Sequence, residues 1–159
     1  MVDAANVGAG CLPDCRREVV RSCRAADLIM HAGDFTAPEV LADIEALGPP
    51  VAAVHGNIDP PELRERLPEA RLVEASGARV ALVHDAGPAR GRLERMRLRF
   101  LDAEAVVFGH SHIPLHESRD GFQIFNPGSP TDRRRQPRHT MGMARVTDGR
   151  VAFELVRLD

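Results

Sequence analysis

Leu28-Ile29-Met30-His31-Ala32-Gly33-Asp34 and Ala105-Val106-Val107-Phe108-Gly109-His110-Ser111-His112 are the stretches on which the fold turns. In each, an apolar run too short for a helix breaks into a glycine-containing turn that carries side chains able to bind a cation. Such runs, bounded by turn residues, read as strands buried on both faces. Two more stretches share the design: residues 51–54 run into His55-Gly56-Asn57-Ile58-Asp59, and residues 79–83 run into His84-Asp85.

Helical patterns separate these strands. Val19, Val20 and Cys23, spaced by charged residues, predict a helix over 13–26 with Pro13 in its first turn. Thr36 is expected to cap a second helix, with Val40, Leu41, Ile44 and Leu47 on one face and Gly48 as its stop. Residues 60–67 and 90–101 complete the helices. Apolar pairs around Ser76-Gly77, Asp120-Gly121 and Asp148-Gly149 predict hairpins. Strand and helix alternating first, hairpins later, describe an α/β fold: two stacked mixed β-sheets flanked by helices in four layers. The 159 residues are expected to form one domain over 1–159. Only Met1 and Val2 precede Asp3, so the first strand is expected to be short or missing.

Composition narrows the function. No apolar run approaches a membrane span and no leader is apparent, so a cytoplasmic protein is expected. Every cation is Arg, and the formal net charge of −2 argues against bulk nucleic-acid binding. Two local clusters, Arg90 to Arg99 and Arg133 to Arg138, could meet a phosphate or be plain solvated surface. Cys11, Cys15 and Cys23 read as free thiols, because Cys11 and Cys15 have no partner pair to complete a zinc site.

In open α/β sheets the carboxyl ends of strands form the ligand crevice, so the four turns should converge. Asp offers a charged oxygen, Asn a neutral one and His a nitrogen, the donors a divalent ion takes. Singly, each motif is weak: Gly-Asp and Gly-Asn are stock turn dipeptides, and a lone His84 suits a structural hydrogen bond. His110 and His112 together, one residue apart in a glycine-led turn, have no packing reason to be there. The four in this order make coincidence a poor explanation.

With Asn126-Pro127-Gly128-Ser129-Pro130 added, the chain resembles the calcineurin-like metallophosphoesterases, specifically the small bacterial and archaeal phosphodiesterase branch that also contains a retromer subunit. The resemblance implies two divalent ions, often manganese, with nickel, iron, zinc or magnesium as substitutes. It implies metal ligands Asp34, Asn57, His84, His110 and His112, with Asp34 bridging and His112 on the other ion's side. Asp34, Asn57 and His110 would carry catalysis, with Asn57 or His110 also meeting phosphate. Asp59 falls near the leaving-group acid of wider relatives, but those have His where this chain has Ile58, so that role has no residue here.

The family begins with a strand running into Asp-x-His. Here the register places Ala4 and Asn6 at those positions, or Asp3 and Ala5, and neither restores the imidazole. One well-held ion is therefore expected, with weak hydrolysis of a small phosphate ester. The competing reading is an inactive scaffold that presents the fold to protein partners, and a homo-oligomer is compatible with either. Ala4→Asp combined with Asn6→His should raise hydrolysis of an aryl phosphodiester sharply; no gain with the fold intact would show that the first site is not the defect.

Overall fold

The structure, a computed structural model, describes residues 2–4 and 13–158, with side chains from residue 17 onward. In chain order the elements are β1 (Val2–Ala4), α1 (Pro13–Ala25), β2 (Leu28–His31), α2 (Pro38–Glu45), β3 (Val51–Ala53), α3 (Pro61–Arg66), β4 (Ala70–Ala75), β5 (Ala78–Val83), α4 (Arg92–Arg99), β6 (Ala105–Phe108), β7 (Leu115–Arg119), β8 (Phe122–Asn126), β9 (Thr140–Thr147) and β10 (Arg150–Arg157).

They form two five-stranded mixed sheets, ordered β10-β9-β1-β2-β3 and β4-β5-β6-β8-β7. Side-chain alternation builds the layers. Met30, Ala52, Val80, Leu82, Ala105 and Val107 point into the space between the sheets. Their neighbours point outward. Ile29 and Ala53 meet Val19, Cys23, Leu41, Ile44 and Leu63 from the helices over the first sheet, while Ala81, Val83, Val106 and Phe108 meet Met96 of α4 over the second. Burial on both faces is why these strands read as unbroken apolar runs.

The first strand is short but present. β1 lies in the middle of its sheet, parallel to β2 and antiparallel to β9, with Ala4 level with Met30. Parallel pairing means the chain leaves β1 at the sheet edge where β2 runs on toward Asp34. The alternatives at Ala5 and Asn6, and Cys11, lie outside the described residues, as do the side chains of Asp3, Ala4 and Cys15. Cys23 is a buried thiol outside any disulfide.

All three expected hairpins form, each on a two-residue turn: Ser76-Gly77, Asp120-Gly121 and Asp148-Gly149 all have positive φ at both positions. This is the turn whose twist matches paired strands. Two turns from different sheets touch, with Gly149 N–H donating to Ser76 O at 2.8 Å. The expected cap on α2 does not form. Thr36 sits in the left-handed region at φ 52°, and Ala37 occupies the cap position without a side-chain hydrogen bond. The helix also ends at Glu45, short of Gly48, because the chain must turn there to enter β3.

His31, the last residue of β2, is fully buried and stacked on Phe35 at 3.8 Å between ring centroids. Gly33 N–H donates to its Nδ1 at 3.2 Å. Burial, aided by the nearby His84, pushes its pKa down to about 3 from the ordinary 6.5. The folded protein thus holds this ring neutral, whereas the unfolded chain takes up a proton below about pH 6.5. Its contribution to stability is complete above that pH and is lost as pH falls toward 3, by up to about 1.4 kcal/mol per unit. Urea midpoints measured from about pH 7 to 4.5 should fall less steeply in His31→Asn than in the unaltered protein; parallel slopes would show that His31 does not set the acid limb.

Candidate metal centre

Asp34 and Asn57 follow β2 and β3 of one sheet; His84 and His110 follow β5 and β6 of the other. The site therefore straddles the sandwich. Asp34 and His110 take positive φ, 66° and 63°, a region that Asp and His enter more readily than bulky or branched residues. The turns at Gly33 and Gly56 pass backbone against backbone. A Cβ on Gly33, whose φ is 89°, would lie 2.5 Å from Gly56 N, and one on Gly56 would lie 2.1 Å from Asp34 Oδ1.

Asp59 braces both turns. It is 3% exposed; its Oδ1 accepts from Phe35 N–H at 2.6 Å and its Oδ2 from Gly56 N–H at 2.9 Å. Arg64 of α3 adds a clamp from outside, donating to the carbonyls of Asp59, at 2.9 Å, and Asn57. On the other sheet, the buried Asn126 amide donates to Gly109 O at 2.7 Å and Ser111 Oγ at 3.2 Å, fixing the turn that presents His110.

The resulting geometry is dense in lone pairs. His84 Nε2 lies 2.9 Å from Asn57 Oδ1, 3.1 Å from His110 Nδ1 and 3.4 Å from Asp34 Oδ1, and His110 Nδ1 lies 2.9 Å from Asn57 Oδ1. His84 Nδ1 sits 2.6 Å from Ala32 O, an acceptor, so Nδ1 carries the hydrogen and Nε2 of the neutral ring is bare. Asp34 Oδ1 and Asn57 Oδ1 carry none. Apart from Ile58 N–H, which reaches Asp34 Oδ1 at 3.4 Å, the four acceptors share at most the one hydrogen on His110 Nδ1, an arrangement that repels itself unless a cation sits among them. Adjacent donors around an octahedral ion at about 2.1 Å are about 3.0 Å apart, so the observed spacing fits a divalent ion. Asp34, His84 and His110 form a candidate metal-binding group, with the Asn57 oxygen a fourth donor.

His112 stands apart from these four. Its Nδ1 donates to Asp132 O at 2.6 Å, while its buried Nε2 has no hydrogen-bond partner among the described residues. A bare buried nitrogen of this kind is available as a ligand atom.

Sequence reasoning quoted Asp59 and Asn126 but did not foresee the brace or the lock. Arg64 carried no signal at all, being one of two arginines on a short helix of an arginine-rich chain. Asp59 is not free to act as an acid, since both oxygens are engaged. Gly56→Ala should push away the Asp34 carboxylate and its backbone N, which a Cβ would approach to 2.1 and 2.4 Å, weakening manganese binding at least about tenfold in a titration followed by calorimetry; unchanged affinity would show that the close contact does not position the carboxylate.

Family comparison agrees with this geometry. Residues 13–149 match the model of the calcineurin-like phosphoesterase superfamily domain. A probable metallophosphoesterase of Methanothermobacter thermautotrophicus is 37% identical over 110 residues, covering 68% of this chain and 63% of that protein, so the chain spans less than two thirds of the relative's length. Among solved structures, wild-type Vps29 complexed with zinc from Entamoeba histolytica superposes with TM-score 0.74 at 19% identity over 99% of both chains. A novel archaeal phosphodiesterase gives 0.70 at 19% identity, over 98% of this chain and 99% of that one. At such identities the structures speak for the fold, and the domain match speaks for descent: this chain belongs to the calcineurin-like phosphoesterase superfamily.

Proposed function

We propose that the protein is a divalent-metal-dependent phosphoesterase of phosphodiesterase type, acting in the cytoplasm on a small phosphate ester with manganese as its preferred ion. The observation that carries this reading is the meeting of Asp34, Asn57, His84 and His110 with four acceptor atoms and at most one hydrogen between them. These four side chains would hold one ion well, and His112 would serve a second. A bound divalent ion attracts a phosphate and acidifies a water.

The chain's own residues supply orientation. Ala32 O fixes the tautomer of His84, Asp59 and Arg64 fix the turn of Asn57, and Asn126 fixes that of His110. Asn57 or His110 is the residue we assign to phosphate contact. Ile58, 56% exposed beside Asn57, cannot donate a proton, and Asp59 is engaged. Esters whose leaving group departs as a stable anion, such as aryl phosphodiesters, are therefore the favoured substrates.

A second reading, a scaffold for protein partners, draws on exposed Ile58 and Ile113 next to Asn57 and His112. One experiment separates the two. Protein purified with manganese should bind close to one equivalent by elemental analysis and hydrolyse bis(4-nitrophenyl) phosphate, with Asp34→Asn lowering kcat at least about 100-fold. Absence of both metal and turnover would favour the scaffold.

A further inference from the structure

The arginines of the two clusters are used differently. Arg92 Nε and Nη2 donate to Gly87 O at 3.1 and 2.9 Å, and Arg95 reaches the carbonyls of Ala86 and Pro88 at 2.8 and 2.6 Å. Arg97 faces Asp120 at 3.5 Å and Arg99 faces Glu69 at 2.9 Å. These groups hold the loop before α4 and its flank.

Residues 130–139 are built otherwise. Thr140 N–H donates to Ser129 O at 3.1 Å and Thr140 Oγ1 donates to Pro127 O at 2.7 Å, closing the base of a loop. Ser129 Oγ accepts from the N–H groups of Thr131 and Asp132 at 3.3 and 3.1 Å, so the chain turns outward at once. A compact loop with joined ends is a common carrier of function. Arg133, Arg134 and Arg135 lie exposed along it in succession. Arg133 Nη1 donates to Gln136 O at 2.6 Å, and Arg134 Nε is 3.9 Å from Asp132 Oδ2. Each guanidinium keeps further N–H groups for a ligand.

The loop is also fastened to the candidate centre. Asp132 O accepts from His112 Nδ1 at 2.6 Å, and Asp132 Oδ2 lies 3.5 Å from the same nitrogen. Three guanidinium groups thus stand on an arm rooted one hydrogen bond from His112, itself two residues from His110. A simple phosphodiester carries a single negative charge, which a divalent ion beside Asp34 already neutralises. Three more cations on that arm exceed what that substrate needs, and the guanidinium fork matches a phosphate in two-point contact.

We propose that the arm at Arg133, Arg134 and Arg135 binds a second phosphate of the substrate, so that the preferred substrate is a phosphodiester bearing a further phosphate beyond the one cleaved. This rests on the phosphodiesterase reading for where the scissile group sits.

The test uses two compounds that differ by one phosphate: thymidine 5′-(4-nitrophenyl phosphate) and its 3′-phosphorylated form, assayed on the manganese-loaded protein. The 3′-phosphate should lower KM roughly tenfold at low salt and less at high salt, as solvent-exposed charge contacts are screened. The combined Arg133→Gln, Arg134→Gln and Arg135→Gln variant should lose that advantage while its KM for the compound without 3′-phosphate stays within about twofold. Equal KM values in the unaltered protein, or an advantage that survives the substitutions, would overturn the proposal. If neither compound is hydrolysed, the phosphodiesterase reading fails separately. Calorimetry on the metal-loaded protein then decides: tighter binding of thymidine 3′,5′-bisphosphate than of the 5′-monophosphate, abolished in the variant, upholds the arm, and equal binding refutes it.

Discussion

Asp34 and Asn57 can address a single point only because two turns of backbone touch. Gly33 and Gly56 leave no room for a side chain between them, and the carboxylate of Asp59 holds an N–H group from each side of that contact. Removing a Cβ from both strands' exits is what lets a carboxylate and an amide from adjacent parallel strands approach as donors to one cation. The buried Asp59 is stabilised by accepting two backbone hydrogens, and in return satisfies donors that sharp turns would otherwise orphan. Geometry at this centre is thus a property of backbone packing before it is a property of ligands.

Much of this was legible in the chain. Short apolar runs ending in Gly-Asp, Gly-Asn, His84 and Gly-His could only be strands covered on both faces, and the crevice at their ends follows from parallel topology. Hairpins at Ser76-Gly77, Asp120-Gly121 and Asp148-Gly149 were readable because both turn positions need positive φ, a local demand. Asp34, Asn57, His84 and His110 converge as expected, whereas His112 points its bare nitrogen to a place apart from them.

What escaped notice depends on contacts remote in sequence. Thr36 looks like a helix cap by local chemistry, yet the backbone there is bent into the left-handed region two residues after Asp34. The service of Asp59 to Phe35, 24 residues away, and of Asn126 to Gly109 leaves no periodicity to read. Arg64 and Asp132 act through a neighbour's carbonyl or their own, groups that carry no residue identity. Clustered arginines give the same signal whether they end on loop carbonyls, as Arg92 and Arg95 do, or stand in solvent.

The hydrogen bond from Gly149 to Ser76 ties a turn of one sheet to a turn of the other, at the end of β5 opposite His84. The four donors at the far end come in pairs from the two sheets. A cation bound there would close the sandwich like the clasp of a hinged case, and any shear between its halves would register as a change in donor spacing. Ion affinity at such a clasp would be coupled to the stiffness of the sandwich, since whatever loosens the hinge would also loosen the clasp.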